Sequence, residues 1–390
     1  MVKIPFFDLG AQYQSLKAEI EPGILQVLES CSYINGKNGK ELEERIAEYL
    51  GAKHAVGCGN GTDALVLALR ACQVGPGDEV ITTPFTFFAT AEAIASVGAV
   101  PVFVDVKKDD YMIDPSQIEA AITERTKAIL PVHIFGGASD MDAIMGIAKA
   151  HGLYVIEDAA QAMGAGYRGR KLGGIGHVGC FSFYPTKNLG GCGDGGMAVT
   201  SDDELADRLR ALREHGSGEP GKRIWELSGK GGKKEEAVDK YRNYMIGYNS
   251  RLDELQACVL LVKLGHLEEF NSRRRQIAAM YRESLTDRVQ LPKYGEDTEP
   301  CWHQFVILSE DKAGLCDYLS KNGIGCNTFY PVPLHRQEAF QEAPCRIHGG
   351  NLPVVDGISA QSVCLPIFPE LTDDQVRQVS ETVNRFYEEK

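Results

Sequence analysis

The chain has 390 residues, 43% apolar and 24% charged, which suits a soluble globular protein with two ordinary domains or one large domain and a satellite. Its net charge of −13 and pI of about 5.3 exclude a general nucleic-acid or acidic-membrane binder, because phosphate-bearing surfaces need a basic footprint. No apolar run approaches the ~20 residues of a membrane helix, residues 1–8 lack a signal-peptide core, and the 11 cysteines, an odd number without a Cys-x-x-Cys pair, read as reduced thiols of a cytoplasmic protein.

Residues 11–50 read as helical, with Leu16, Ile20, Ile24, Val27 and Leu28 at helical spacing. Short β-branched apolar runs then alternate with helical stretches. The predicted strands are 54–58, 79–83, 100–106, 128–133, 153–158, 180–183 and 197–200, with helices over 63–72, 90–97, 115–121 and 141–150. This alternation predicts an α/β fold with a mostly parallel seven-stranded sheet. Only a loop separates the last two strands, which predicts antiparallel pairing there. The stretch 217–239, rich in Gly and Lys, predicts a surface insertion in loop form. A long helix follows over 252–285, then a strand over 304–308 and helices over 312–322 and 373–387. The expected division is a large domain over 1–260 and a smaller C-terminal α/β domain over 261–390.

Within this frame the run from Phe181 to Gly191 places Lys187 between an aromatic strand and a glycine-rich turn. The strand 153–158 ends in Glu157-Asp158. A lysine that can form a Schiff base, and a carboxylate that can pair with a pyridinium nitrogen, are the two groups pyridoxal phosphate chemistry requires. Asp158 could instead be an ordinary helix cap, but the ends of parallel strands are where α/β proteins build sites. The loop Gly57-Cys58-Gly59-Asn60-Gly61-Thr62-Asp63 joins a strand to a helix, and backbone N–H groups there can bind phosphate; an ordinary capped helix is the alternative. Thr62 and Ser182 could each add a hydroxyl to that phosphate. Gly164–Gly169 fits the dinucleotide pattern G-x-G-x-x-G, yet it opens no long helix and no acid follows a second strand. His303, His335 and His348 lack metal-ligand spacing, so no metal is expected.

Ordered motifs along nearly the whole chain resemble the DegT/DnrJ family of nucleotide-sugar aminotransferases, which are pyridoxal phosphate enzymes of fold type I. They include Phe7-Asp8-Leu9, Gly59–Leu65, Thr126–His133, Ile156–Gln161, the Lys187 segment with Gly193-Asp194-Gly195-Gly196, Asn249–Ala257 and Tyr330–His335. The resemblance implies that Lys187 carries the cofactor and moves the proton, and that Asp158 holds the pyridinium. Gln161 would contact the ring hydroxyl, and Phe87 would cover the ring. Gly61, Thr62 and Ser182 would hold the phosphate. Asn249 would reach the phosphate of a neighbouring subunit, making the enzyme a homodimer with a shared site. Glutamate would donate the amino group through a pyridoxamine phosphate intermediate, and a nucleotide-linked keto-sugar would accept it.

Tyr184 and Asp194-Gly195-Gly196, together with Arg251–His266, Asn271 and Arg273-Arg274, resemble the branch acting on 3-keto sugars. Relatives acting on 4-keto sugars often carry histidine at the first position and Glu-Gly-Gly at the second. The alternatives are a 4-keto-sugar aminotransferase, another fold type I enzyme acting on amino acids, and a non-catalytic sensor on the same fold. The chain departs from the family pattern in the 217–239 insertion, and in Asn243, where relatives often have histidine. Neither the nucleotide nor the sugar follows from the residues.

Overall fold

The computed structural model describes residues 4–230 and 241–390. Two helices come first, α1 (Leu9–Ser30) and α2 (Lys37–Leu50), so the single helical stretch expected over 11–50 is broken at 31–36. Cys31 ends α1 in the left-handed conformation, which stops the helix. The elements β1 (His54–Cys58), α3 (Gly61–Ala71), β2 (Glu79–Thr82), α4 (Ala89–Ser96), β3 (Val100–Phe103), α5 (Pro115–Ala121), β4 (Thr126–Leu130), α6 (Met141–His151) and β5 (Tyr154–Asp158) alternate as predicted. After a short ribbon, β6 (Gly166–Tyr167) and β7 (Arg170–Lys171), come β8 (Val178–Ser182), β9 (Gly196–Thr200) and α7 (Asp203–Arg213).

All seven predicted strands lie in one sheet of order β1-β9-β8-β5-β4-β2-β3. Only β9 runs against its neighbours, pairing antiparallel with both β8 and β1. An eighth strand was not predicted: β12 (Arg346–Ile347) joins the β3 edge in parallel. It is two residues long, below the length at which periodicity signals a strand. Arg346 fixes it by reaching Glu79 Oε2 at 2.8 Å and the Ala121 carbonyl at 2.6 Å.

Strand alternation divides the core in two. Val56, Val80, Ala128, Leu130 and Ile156 face the layer of α3, α4 and α7. Ala55, Ile81, Ile129 and Val155 face the layer of α2, α5, α6 and the long helix.

The 217–239 expectation needs correction. Its first part is α8 (Gly218–Trp225), followed by a π-helical turn over Glu226–Lys230. Ile224 is buried, and Arg223 forks onto Asp207 of α7 at 2.6 and 2.5 Å, so the segment has packing that its Gly and Lys content concealed. The rest of that expectation falls on 231–239, outside the described residues.

The long helix α9 (Glu254–Ser284) runs unbroken through residue 260, the expected domain boundary. Beyond it come β10 (Thr298–Glu299), β11 (Phe305–Leu308), α10 (Lys312–Lys321), α11 (Ala339–Glu342), α12 (Pro353–Gln361), β13 (Ser362–Leu365) and α13 (Asp373–Glu388). The antiparallel pair β11–β13 packs with α10, α13 and the end of α9 around Phe305, Leu315, Val363 and Val379. Ile4 bridges to Ile324 and is buried in this same core, so the start of the chain is stitched to its C-terminal part.

Candidate active site

Three chain segments meet at the C-terminal ends of the parallel strands. β5 delivers Glu157 and Asp158 on opposite faces of the sheet, as alternation requires. Glu157 is fully buried and accepts from the amides of Gly173 and Ile175, at 2.7 and 2.8 Å, and from His133 Nε2 at 2.9 Å. Burial alone would raise its pKa; the His133 hydrogen bond and the backbone donors outweigh this and hold the carboxyl below the usual range. Glu157 is thus a structural anchor.

Asp158 is 6% exposed, on the opposite face from Glu157. Its Oδ2 accepts the Thr90 hydroxyl at 2.8 Å and its Oδ1 the Ala160 amide at 3.2 Å. Its backbone is clamped to the next strand end, with Asp158 N–H to the Pro131 carbonyl and His133 N–H to the Asp158 carbonyl. Burial pushes its pKa up, against the pull of Thr90, Ala160, Lys187 and His133.

Lys187 lies in the turn after β8, half-buried. Phe183, fully buried, roots that turn through Phe183 N–H to the Gly195 carbonyl and Gly191 N–H to the Phe183 carbonyl. Asn188 locks it from beneath: Asn188 Nδ2 donates to Asn271 Oδ1 at 2.7 Å and to the Cys301 carbonyl at 2.9 Å, while His303 Nδ1 lies 3.1 Å from Asn188 Oδ1. Burial pushes the Lys187 pKa down to about 8, against the opposing pull of Asp158. His303 is held well below its ordinary range by burial and by the Lys187 and Arg274 charges, so it is a neutral imidazole.

The third segment is the N-terminus of α3. Asn60 caps it, accepting from Asp63 N–H at 2.8 Å. The amides of Gly61 and Thr62 meet no acceptor among the described residues. A side chain at Gly61 would come within 2.6 Å of Ser182 Cβ, so only glycine lets helix and strand approach. Ser182 is half-buried beside this helix end. Free amides, a helix dipole and adjacent hydroxyls of Thr62 and Ser182 form an anion cradle.

Gln161 follows Asp158 by three residues. Its Oε1 accepts Phe135 N–H at 2.8 Å and its Nε2 donates to Tyr330 Oη at 2.9 Å, leaving one amide hydrogen for another acceptor. Phe87 is 59% exposed in the turn that leads into α4. Asn249 is exposed, next to Ser250, whose hydroxyl donates to Asp63 Oδ2 at 2.6 Å. Thr90, Tyr330 and the Asn188–Asn271–His303 lock were not singled out as site residues from the sequence. Their roles depend on contacts across 68 to 169 positions, which no local pattern encodes. A concavity of about 590 Å³, lined by Met145, Lys149, Leu153, Tyr154 and His177, lies at the opposite end of β5 from Asp158, away from this chemistry.

The arrangement supplies a poised amine, a buried carboxylate and an anion cradle on one rim, which together match a phosphorylated, cationic aromatic aldehyde such as pyridoxal phosphate. Residues 14–384 match the model of the DegT/DnrJ/EryC1/StrS aminotransferase family. A relative from Geobacillus stearothermophilus, named pleiotropic regulatory protein, is 46% identical over 99% of each chain. Another from Acidithiobacillus ferrooxidans, named UDP-N-acetyl-3-dehydro-alpha-D-glucosamine 3-aminotransferase, is 44% identical over 98% of this chain and 97% of its own. The crystal structure of DesV from Streptomyces venezuelae in complex with a ketimine intermediate superposes with a TM-score of 0.90, at 43% identity, covering 100% of this chain and 99% of that one.

Proposed function

The chain belongs to the DegT/DnrJ/EryC1/StrS aminotransferase family, and on that premise we propose that it transfers an amino group from L-glutamate to the C3 carbonyl of a nucleotide-linked keto-sugar, with pyridoxal phosphate as cofactor. The observation that carries this reading is Lys187, its pKa lowered by burial, close enough to the buried Asp158 for their charges to interact, with the Gly61 helix end packed on Ser182 of β8. The names of relatives support position 3, among them the Acidithiobacillus protein and a dTDP-3-amino-3,6-dideoxy-alpha-D-galactopyranose transaminase from Aneurinibacillus thermoaerophilus.

When bound, pyridoxal phosphate supplies the electron sink that lets a Cα–H bond break and holds the amino group in transit. The residues of this chain do the rest. The amides of Gly61 and Thr62 and the hydroxyls of Thr62 and Ser182 receive the phosphate. Asp158 would hold the ring nitrogen, and the remaining Gln161 amide hydrogen would be available to the ring oxygen. Phe87 covers the ring. Lys187 Nζ would take up and release the proton of the donor's α-carbon, a task suited to an amine whose pKa burial lowers to about 8. Asn249 completes the phosphate site of a second copy, so the working unit is a homodimer. In support, Leu9, Tyr13, Leu25, Leu28, Tyr33 and Ile34 expose an apolar stretch on and just after α1, and Ile246 is 83% exposed beside Asn249. Closing the cleft between two copies would also keep water from the reacting carbon.

The name of the Geobacillus relative raises a second reading, a sensor that keeps the fold without turnover. The two are separated by Lys187→Ala. An aminotransferase loses essentially all release of 2-oxoglutarate from glutamate in this variant while keeping its melting temperature. Full activity in the variant would remove Lys187 from its role, and no activity in the cofactor-loaded parent protein would favour the sensor.

A further inference from the structure

The carboxylate at the centre of the site has one side-chain hydrogen bond among the described residues, and it comes from Thr90. Thr90 is 1% exposed on the first turn of α4, and its hydroxyl lies 2.8 Å from Asp158 Oδ2. Behind it stands Thr86, 2% exposed, with its hydroxyl 2.8 Å from that of Thr90. An ionised carboxylate only accepts, so Thr90 must spend its proton on Asp158. Thr86 must then donate to Thr90. The chain of donors therefore has one direction, from Thr86 through Thr90 to Asp158, and each hydrogen bond polarises the next.

We propose that Thr90, backed by Thr86, is a positioning residue that keeps the Asp158 carboxylate ionised and fixes which of its oxygens faces the cationic ring nitrogen of the cofactor. With Oδ2 committed to Thr90, Oδ1 carries the Ala160 amide at a longer 3.2 Å and retains a lone pair for the ring. Burial works against ionisation here, and Thr90 leads the groups that oppose it. Four titratable groups surround the carboxylate. Lys187 after β8 and His133 after β4 pull toward the charged form. The Cys180 thiol on β8 and the Tyr330 phenol are pushed up by burial and stay neutral. His133 is itself tied at both ring nitrogens, to Glu157 and to Ser139 N–H, so Thr90 is the donor dedicated to Asp158.

This inference rests on the proposed cofactor, and the test separates the two. Parent protein, Thr90→Val, Thr90→Ser and Thr86→Val are each loaded with pyridoxal phosphate. The affinity of each apo-protein for the cofactor is measured by fluorescence, and the visible absorbance of the lysine-bound cofactor is titrated with pH. Valine keeps threonine's branched shape and replaces the hydroxyl with a methyl group. Losing a hydrogen bond to a charged group predicts binding weaker by about 10- to 100-fold in Thr90→Val. A ring nitrogen that loses its proton no longer repels a proton on the lysine-linked nitrogen. The spectral midpoint therefore rises by roughly one pH unit in Thr90→Val, by less in Thr86→Val, and returns to the parent value in Thr90→Ser. A Thr90→Val protein that binds and titrates like the parent overturns the inference, as does equal loss in valine and serine variants. A parent protein that forms no lysine-bound chromophore overturns the reading beneath it.

Discussion

At the scale of single residues, the reading turns on Lys187, whose pKa burial lowers, set near Asp158. Burial favours its neutral form, and only the neutral amine can attack an aldehyde. With an ordinary pKa of 10.5, roughly one lysine in three thousand is neutral at pH 7; at about 8 the fraction is roughly one in ten. The rate at which apo-protein captures pyridoxal phosphate should therefore rise with pH and level off just above 8. Stopped-flow absorbance would show it, and a rate still climbing at pH 10 would mean that Lys187 is not shielded as described. Residue chemistry also separates the two acids at the end of β5. Sequence alone gives Glu157-Asp158 as neighbours; the strand sends Glu157 to three backbone amides, counting Gly176, and His133, and leaves Asp158 on the opposite face.

At the scale of elements, the junction of α3 with β8 is the tightest constraint. Gly61→Ala would press a methyl group onto Ser182 and force the helix end and its free amides away from the strand. The expected cost is about 1–3 kcal/mol, shared between the melting temperature of the apo-protein and a lower affinity for pyridoxal phosphate. An alanine variant with unchanged affinity for both pyridoxal phosphate and inorganic phosphate would show that this helix end is not the phosphate site. The elements themselves were largely legible in the sequence. The strands His54–Cys58 and Tyr154–Asp158 and the helix Pro115–Ala121 carry unmixed periodicity between clear breakers, and each lies where it is predicted or within a residue of it. What escaped is what tertiary contact decides. β12 is held by Arg346 reaching Glu79 across 267 positions, and α8 is helical because Ile224 is buried and Arg223 finds Asp207. At the site, the cradle and the Lys187–Asp158 pair were visible as residue types in order. Thr90, Tyr330 and the lock beneath Asn188 were not, because hydroxyls and amides leave no periodic signal before their partners are known.

At the scale of the whole molecule, the site described is one half of a proposed shared centre, with Asn249 exposed on the surface. If Asn249 serves a second copy, two inactive proteins should rescue one another. Lys187→Ala and Asn249→Asp homodimers, mixed under conditions that allow subunit exchange, would form heterodimers with one intact site and one doubly altered site. Recovery of up to about a quarter of parent activity is expected in an equal mixture, since half of the dimers are mixed and each carries one working site of two. A mixture that stays at the sum of its inactive parts would confine each site to a single chain.

The central claim is amino transfer at C3 of a nucleotide-linked sugar, and its most direct measurement runs the half-reaction in reverse. Cofactor-loaded protein is mixed with a panel of stable nucleotide-linked 3-amino and 4-amino sugars while the absorbance band of the lysine-bound cofactor is followed. The account predicts loss of the band with a 3-amino sugar and none with its 4-amino counterpart. Loss with 4-amino sugars alone, or a band unmoved by every sugar, would contradict it.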